Sequence, residues 1–398
     1  MTTHELPIGR RVARLRAQRR LTQQMLADRL GKSKSWVDKV ERGARSLDRF
    51  TVIQDLADAL RVDPVALLGR DGRPAATRAA VDGVDGVRAA LARYDTVLTG
   101  PVGRSAPPAG ELGRRVRHAW LTYQHADYPQ LLRMLPALLG DAQRAHTGGG
   151  DDVAELLAQA YRITSSVLVK LGEGDLGWLA ADRAMSVATG DPLLVAAATV
   201  PLGQALRALD RPRPALTATI AAAHHIAPTV PRDGPPHELA LHGTLLVQAA
   251  LAAAACGDEQ SARELVDQAA GIADEIGDGH DRHWTNFGPT AVELAQVATA
   301  VDLGAGDEAV TRHEKVIGSD DWRRLPAEHR AAYLLDASRA YLQIGDPLAA
   351  GRVLVEADRT APAEVRLRPV ARTLITALMR GGPVPADVAH LATAVGVA

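Results

Sequence analysis

From residue 111 onward the chain repeats one pattern, alanine-rich segments of helical periodicity, roughly 15 to 20 residues long, joined by short turns. That pattern excludes most folds. A helix of this kind has an apolar stripe that a helical pair can bury only against the next pair, so the segments must stack into an extended array. The clearest unit runs from Ala331 to Pro362, and a second from Leu245 to Ile276 carries Gly257-Asp258, Ala262, Val266 and Ala269. Looser units fall over Leu112 to Ala145, Asp152 to Ala188, Pro192 to Ala227 and Pro289 to Ile317, and Glu364 to Val397 is placed to cap the array.

The front of the chain is different in charge. Residues 1–70 hold 15 Lys+Arg against 8 Asp+Glu, whereas the remainder holds 31 against 39, so a net charge of -1 hides a basic front and an acidic rear. Polyanion binding is therefore expected of the front alone. The single cysteine, Cys256, precludes an intramolecular disulfide and suits a reducing compartment. No apolar run of spanning length and no signal-like N-terminal stretch stands out, so the expected location is cytoplasmic, away from membranes.

Within the basic front, Leu21 to Gly43 reads as two short helices about a tight turn. Thr22 is placed to cap the first, whose inward positions are Met25, Leu26 and Leu30, and Gly31 ends it. Ser33 is placed to cap the second, in which Val37 and Val40 form a narrow apolar stripe and leave Lys34, Ser35, Trp36, Asp38 and Lys39 on other faces. Such a helix, with short polar and cationic side chains near its start, fits a major groove. Lys34, Ser35, Trp36 and Lys39 are the candidates for base edges or nearby phosphates, with Lys32 and Ser33 at the helix entrance and Arg42 and Arg45 beyond it. The plain alternative for Trp36 is a place on the domain core or at a dimer contact.

An arginine-rich helix precedes this stretch, with Ile8, Val12 and Leu15 on its stripe and Arg10, Arg11, Arg14 and Arg16 around it. A fourth helix follows over Phe50, Ile53, Leu56, Ala57 and Leu60, and Asp63-Pro64 opens a short fifth through Leu68. The series Leu-Thr-Gln-Gln-x-Leu-Ala-x-x-Leu-Gly-x-Ser-x-Ser-x-Val-x-x-Val-Glu-Arg-Gly resembles the XRE (Cro/C1-type) helix-turn-helix family. The resemblance implies a five-helix lambda-repressor-like DNA-binding domain, in which Gln23 would bond a backbone phosphate. In the rear, Tyr341, Gly345, Asp346, Ala350, Leu354, Ala357 and Pro362 sit where tetratricopeptide repeats want aromatic, turn, small, large, small and stop residues. That resemblance implies an α-α superhelix with a concave inner surface.

The expected organisation is all-α: a DNA-binding domain over 1–70, a linker with one helix over 71–110 (the helix at Thr77 to Leu98), and a repeat domain over 111–398. The helix in the linker is either a lever or the first helix of the repeat domain. Polar residues expected on inner helices, Arg162, Ser165, Gln204, Gln248 and Arg339, are candidates for ligand binding. So are Trp284, Asn286 and Phe287, which stand in a loop where a repeat pair should simply turn; the plain alternative is a hydrophobic plug.

Two glycine series, Gly172-x-Gly174-x-x-Gly177 and Gly304-x-Gly306-x-x-Ala309, lack the preceding strand a dinucleotide site requires. His237 and His242 are five apart and so turn away from each other on one helix, and His280 with His283 lacks a third ligand. No catalytic signature, metal site or cofactor is expected. The combination resembles the peptide-pheromone receptors of Gram-positive bacteria, which implies a homodimeric regulator that binds operator DNA and responds to a peptide or small molecule in the repeat groove. The other classes are a protein-binding adaptor and an enzyme fused to a DNA-binding head, whose activity would depend on His237 or His242.

Overall fold

The computed structural model describes residues 8–19, 21–43, 50–60, 62, 67, 75–94, 106–229, 234–279 and 283–397. Among these residues every regular element is helical. The chain divides into two compact units, residues 1–78 and 79–398.

In the front unit the helices are α1 (Ile8–Gln18), α2 (Gln23–Leu30), α3 (Lys34–Glu41) and α4 (Phe50–Leu60). Thr22 Oγ1 accepts the Met25 N–H at 3.1 Å and Ser33 Oγ accepts that of Trp36 at 3.1 Å, so both helices of the pair start on a side-chain cap. Gly31 ends α2 in the left-handed region. Val12, Leu26, Ala27, Val37, Val40, Ile53, Leu56 and Leu60 form one core. α1 lies directly on α3, because a Cβ at Gly9 would stand 2.0 Å from the Val40 carbonyl oxygen.

Two readings change here, and others fall outside the described residues. Met25 is 45% exposed, and the inward face of α2 is Leu26 and Ala27 with Leu30 at its edge. One residue turns a helix by about 100°, which carries Met25 off a stripe centred on Leu26 and Leu30. Arg11 is buried and Arg16 half-buried, so two of the four α1 arginines are not part of a solvated face. The fifth helix, the side chain of Phe50 and Arg45 lie outside the described residues, although Leu67 is described and buried.

The rear unit contains six antiparallel helical hairpins: α6 (Ala109–Gln124) with α7 (Tyr128–Thr147), α8 (Asp151–Lys170) with α9 (Gly174–Ala188), and α10 (Pro192–Ala208) with α11 (Pro212–His225). They continue as α12 (Pro236–Ala255) with α13 (Glu259–Ile276), α14 (Pro289–Asp302) with α15 (Gly306–Ile317), and α16 (Ala327–Gln343) with α17 (Pro347–Thr360). Three shorter helices, α18 (Pro362–Arg366), α19 (Pro369–Arg380) and α20 (Ala386–Val395), close the array. Ahead of it stands α5 (Ala75–Leu91), which ends seven residues before the Leu98 expected from the sequence. Its residues Val84, Val87 and Leu91 belong to the same core as α6 and α7.

The glycine series are explained by these hairpins. Gly172 and Gly304 take left-handed φ values of +80° and +79° at the turns between paired helices, and Gly174 and Gly306 begin the second helices. At the equivalent turns Asp258 and Asp346 accept the N–H groups of Ser261 and Ala349. The first helices pack in succession, α6 on α8, α8 on α10, and so on to α16, and thus form the inner wall. One of them, α12, is apolar and long enough to cross a membrane, but most of it is buried inside this unit as a core helix.

The array curls until its last hairpin meets its first. Tyr123 on α6 donates to Glu328 on α16 at 3.4 Å, and Tyr128 on α7 donates to Glu364 on α18. Lys170 at the end of α8 bonds both carboxylates, at 2.6 Å to Glu364, and Arg368 adds a second cation on Glu364.

Candidate functional site

The front unit offers one cationic helix face. Val37 and Val40 hold α3 to the core, and the opposite side leaves Lys34, Ser35 and Lys39 exposed, with Lys32 and Ser33 exposed at its entrance. Trp36 is half-buried at the edge of the core, so its ring serves packing as well as surface. Arg42 is exposed and ion-paired with Asp38 one turn back.

Below this face lies a polar clamp. Arg16 Nε bonds Glu41 Oε1 at 2.6 Å, its Nη2 bonds Oε2 at 3.1 Å, and its Nη1 reaches the Leu21 carbonyl at 2.7 Å. Gln23 Nε2 donates to the same Glu41 carboxylate at 2.8 Å. The Glu41 hydrogen bond, with its charge added, outweighs desolvation and raises the Arg16 pKa. The clamp ties α1 and the start of α2 to the end of α3 and so fixes the angle at which α3 presents its outer side. Arg16 is a clamp residue, which removes it from the set free to touch phosphate, and the Gln23 amide is engaged inside the unit.

The rear unit encloses a cavity of about 460 Å³ on the inner sides of the first helices. Arg162, Gln204, Gln248, Trp284, Phe287 and Arg339 line it. Ser165 does not. It is fully buried in α8, with an Oγ that has no partner among the described residues, and Ser166, one position on, faces the cavity instead. Asn286 is also outside the lining, its Oδ1 accepting from Gln124 Nε2 at 3.4 Å.

The loop before α14 forms part of the wall. Trp284 stacks on Trp120 of α6 with ring centroids 5.7 Å apart and planes 5° from parallel, and the Arg162 guanidinium lies 5.4 Å from the Trp120 ring centre. Arg162 Nη2 donates to the His283 carbonyl at 2.7 Å. Phe287 is 4% exposed and fills the groove that Gly243 leaves on α12, where a Cβ would stand 2.1 Å from the ring. This loop is therefore both cavity wall and plug. Trp284 and Asn286 adopt φ of 61° and 53°, a conformation unusual for Trp and held here by stacking on one side and the Phe287 anchor on the other.

Charge inside the cavity is mostly matched. Arg339 bonds Asp302 at 2.8 Å and Asp336 at 3.1 Å. Burial raises the Asp336 pKa against the pull of Arg339, whereas at Glu328 burial is outweighed by Lys170 and His329, which hold that carboxyl below its usual range. Lys170, Arg207, Asp302, Glu328, Asp336 and Arg368 all reach the cavity and were not singled out from the sequence. Helical spacing held a partial signal: Arg162, Ser166 and Lys170 follow at intervals of four, and Arg207 is three after Gln204. Their convergence depends on the closure of the array.

Among the described residues no group of three or more His, Cys, Asp or Glu is placed to hold a metal ion. His237 faces His283 across 6.4 Å between ring centres, while burial and then His224 lower the pKa of His242.

No curated protein matches the sequence. A solved structure of PlcR from Bacillus thuringiensis, in complex with the peptide PapR7 and DNA, is similar to the chain at 13% identity and a TM-score of 0.29, covering 68% of this chain and 95% of that one. Residues 7–68 match the helix-turn-helix domain family. The tight turn at Gly31 between two capped helices and the family match agree: the front unit is a helix-turn-helix domain.

Proposed function

We propose that the protein is a sequence-specific DNA-binding transcription regulator whose rear unit senses a ligand. The observation that carries the DNA arm is α3, held to the core by Val37, Val40 and Glu41 and presenting Lys34, Ser35 and Lys39 outward at the front of a helix-turn-helix domain. A helix so placed enters the major groove, its first residues at base edges and its lysines at phosphates. The protein acts as a homodimer, because two such helices one DNA turn apart, roughly 34 Å, gain affinity on a near-palindrome.

The sensor arm is supported by the cavity, whose volume of about 460 Å³ suits a small ligand and whose walls combine aromatic and aliphatic side chains with many polar and charged ones. The ligand, a small molecule or the end of a peptide, shifts the spacing of the paired DNA-binding units by binding one arrangement more tightly than the other. The protein is proposed to bind rather than to catalyse.

Selection from random duplexes with the full chain tests this. The expected outcome is an enriched sequence of two related half-sites, protected from cleavage in footprinting, whose affinity changes when a cavity ligand is added. Recovery of unrelated sequences, with affinity independent of sequence, would contradict it.

A further inference from the structure

The cations around the cavity are unequally satisfied. Lys170 and Arg368 bond the carboxylates of Glu328 and Glu364, and Arg339 takes both Asp302 and Asp336. Arg207 has no such partner. Among the described residues its side chain bonds, through Nη2, the neutral Gln248 Oε1 at 2.7 Å, and its Nε is shut off from solvent with no acceptor there. Burial accordingly works against its charge, opposed only at longer range by Asp302 and Asp336, which Arg339 already engages. A guanidinium cannot escape by losing its proton, so a half-buried one whose Nε is shut off from water without an acceptor favours an anionic partner in the cavity.

The surroundings define that acceptor. With its oxygen taken by Arg207, the Gln248 amide is left with N–H groups to donate, and Gln204 stands one turn before Arg207 on the same wall. These are fork and amide donors, the set that grips a carboxylate. Next to them Val200, Val247, Leu251 and Leu294 supply an apolar bed, with Trp284 as an aromatic wall. The nearby carboxylates of Asp302, Asp336 and Glu328 would repel a dianion more than a monoanion.

We propose that the cavity takes a small organic carboxylate, its acid group on Arg207 and Gln248 and its apolar body against Trp284 and the aliphatic bed. This deepens the sensor arm of the proposed function and rests on it.

Three probes decide the matter by isothermal titration against the full chain: 3-phenylpropionate, its neutral counterpart 3-phenylpropionamide, and phenyl phosphate. The acid is expected to bind at least ten-fold more tightly than the amide, the size of one charge-assisted bond lost, and more tightly than phenyl phosphate. Arg207→Met should abolish the preference for acid over amide, and Arg207→Lys should keep part of it. Equal binding of acid and amide, tighter binding of phenyl phosphate, or binding of none of the three overturns the carboxylate assignment. If Arg207→Met does not fold, the comparison of acid with amide on the unsubstituted chain still decides. DNA affinity measured alongside separates the two ideas: acid binding with unaltered DNA affinity upholds the carboxylate site and defeats the sensor, whereas DNA release by the amide does the reverse.

Discussion

The two units treat positive charge in opposite ways. In the front unit Lys32, Lys34 and Lys39 stand exposed on and beside one short helix, while the half-buried cation Arg16 is used to clamp that helix in place. In the rear unit Lys170, Arg339 and Arg368 are turned inward and bonded to carboxylates across the superhelical closure and the cavity wall. Exposed cations cost little to hold and lend themselves to a polyanion in exchange for counterions. Buried ones must be matched on the spot, and their removal leaves uncompensated charge. Under the proposed function this contrast corresponds to affinity for DNA at the front and ligand selectivity at the rear.

The comparison is broken most directly at Lys170. Glu364 is fully buried and Glu328 is 4% exposed, so Lys170→Met leaves two carboxylates facing each other without their shared cation. A loss of about 3–5 kcal/mol is expected, read as a lower urea midpoint of the rear unit. The folded fraction should bind DNA unchanged.

Acid provides the next test. Burial lowers the His313 pKa to about 4, and its Nδ1 lies 2.6 Å from the Tyr333 hydroxyl. The unfolded chain takes up this proton near pH 6.5 and the folded chain only near pH 4, so the unfolded state binds more protons between them. Stability contributed here is fully present above pH 6.5 and falls by up to about 3 kcal/mol as the pH drops to 4. A His313→Gln variant should lose that slope in pH-dependent melting.

Gly9→Ala is expected to act on the front alone. Its methyl meets the backbone oxygen of Val40, which cannot swing aside as a side chain would, and overpacking of this kind costs about 1–3 kcal/mol. Hydrogen exchange should quicken in α1 to α3 while the hairpins keep their protection. Smallest of all is Arg42→Ala, which removes an exposed pair with Asp38 worth less than about 1 kcal/mol; a melting shift as large as that of Lys170→Met would erase the distinction between the two classes of cation.

Much of this was legible in the sequence because it is local. Caps at Thr22 and Ser33, the Gly31 stop and the Val37/Val40 stripe are set by residues within one or two turns, and the structure has them where periodicity puts them. The Gly-Asp turns at 257–258 and 345–346 likewise mark where hairpins fold back. The misjudged positions depend on neighbours far along the chain. Arg16 looks like one more surface arginine until Glu41, 25 residues away, is brought against it. Ser165 and Ser166 differ by one helical step, which decides between core and cavity, and only the packing of α8 on its neighbours fixes that register. Lys170 and Glu364, 194 residues apart, meet only because the array closes on itself.

In the proposed function α3 carries the electrostatics of DNA binding. The most direct test is the dependence of affinity on salt for the full chain and for the Lys34→Ala/Lys39→Ala double variant on the same selected duplex. Each lost phosphate contact should reduce the slope of log K against log salt by about 0.9, so the double variant should bind more weakly with a slope shallower by up to about 1.8. An unchanged affinity and slope would contradict the claim.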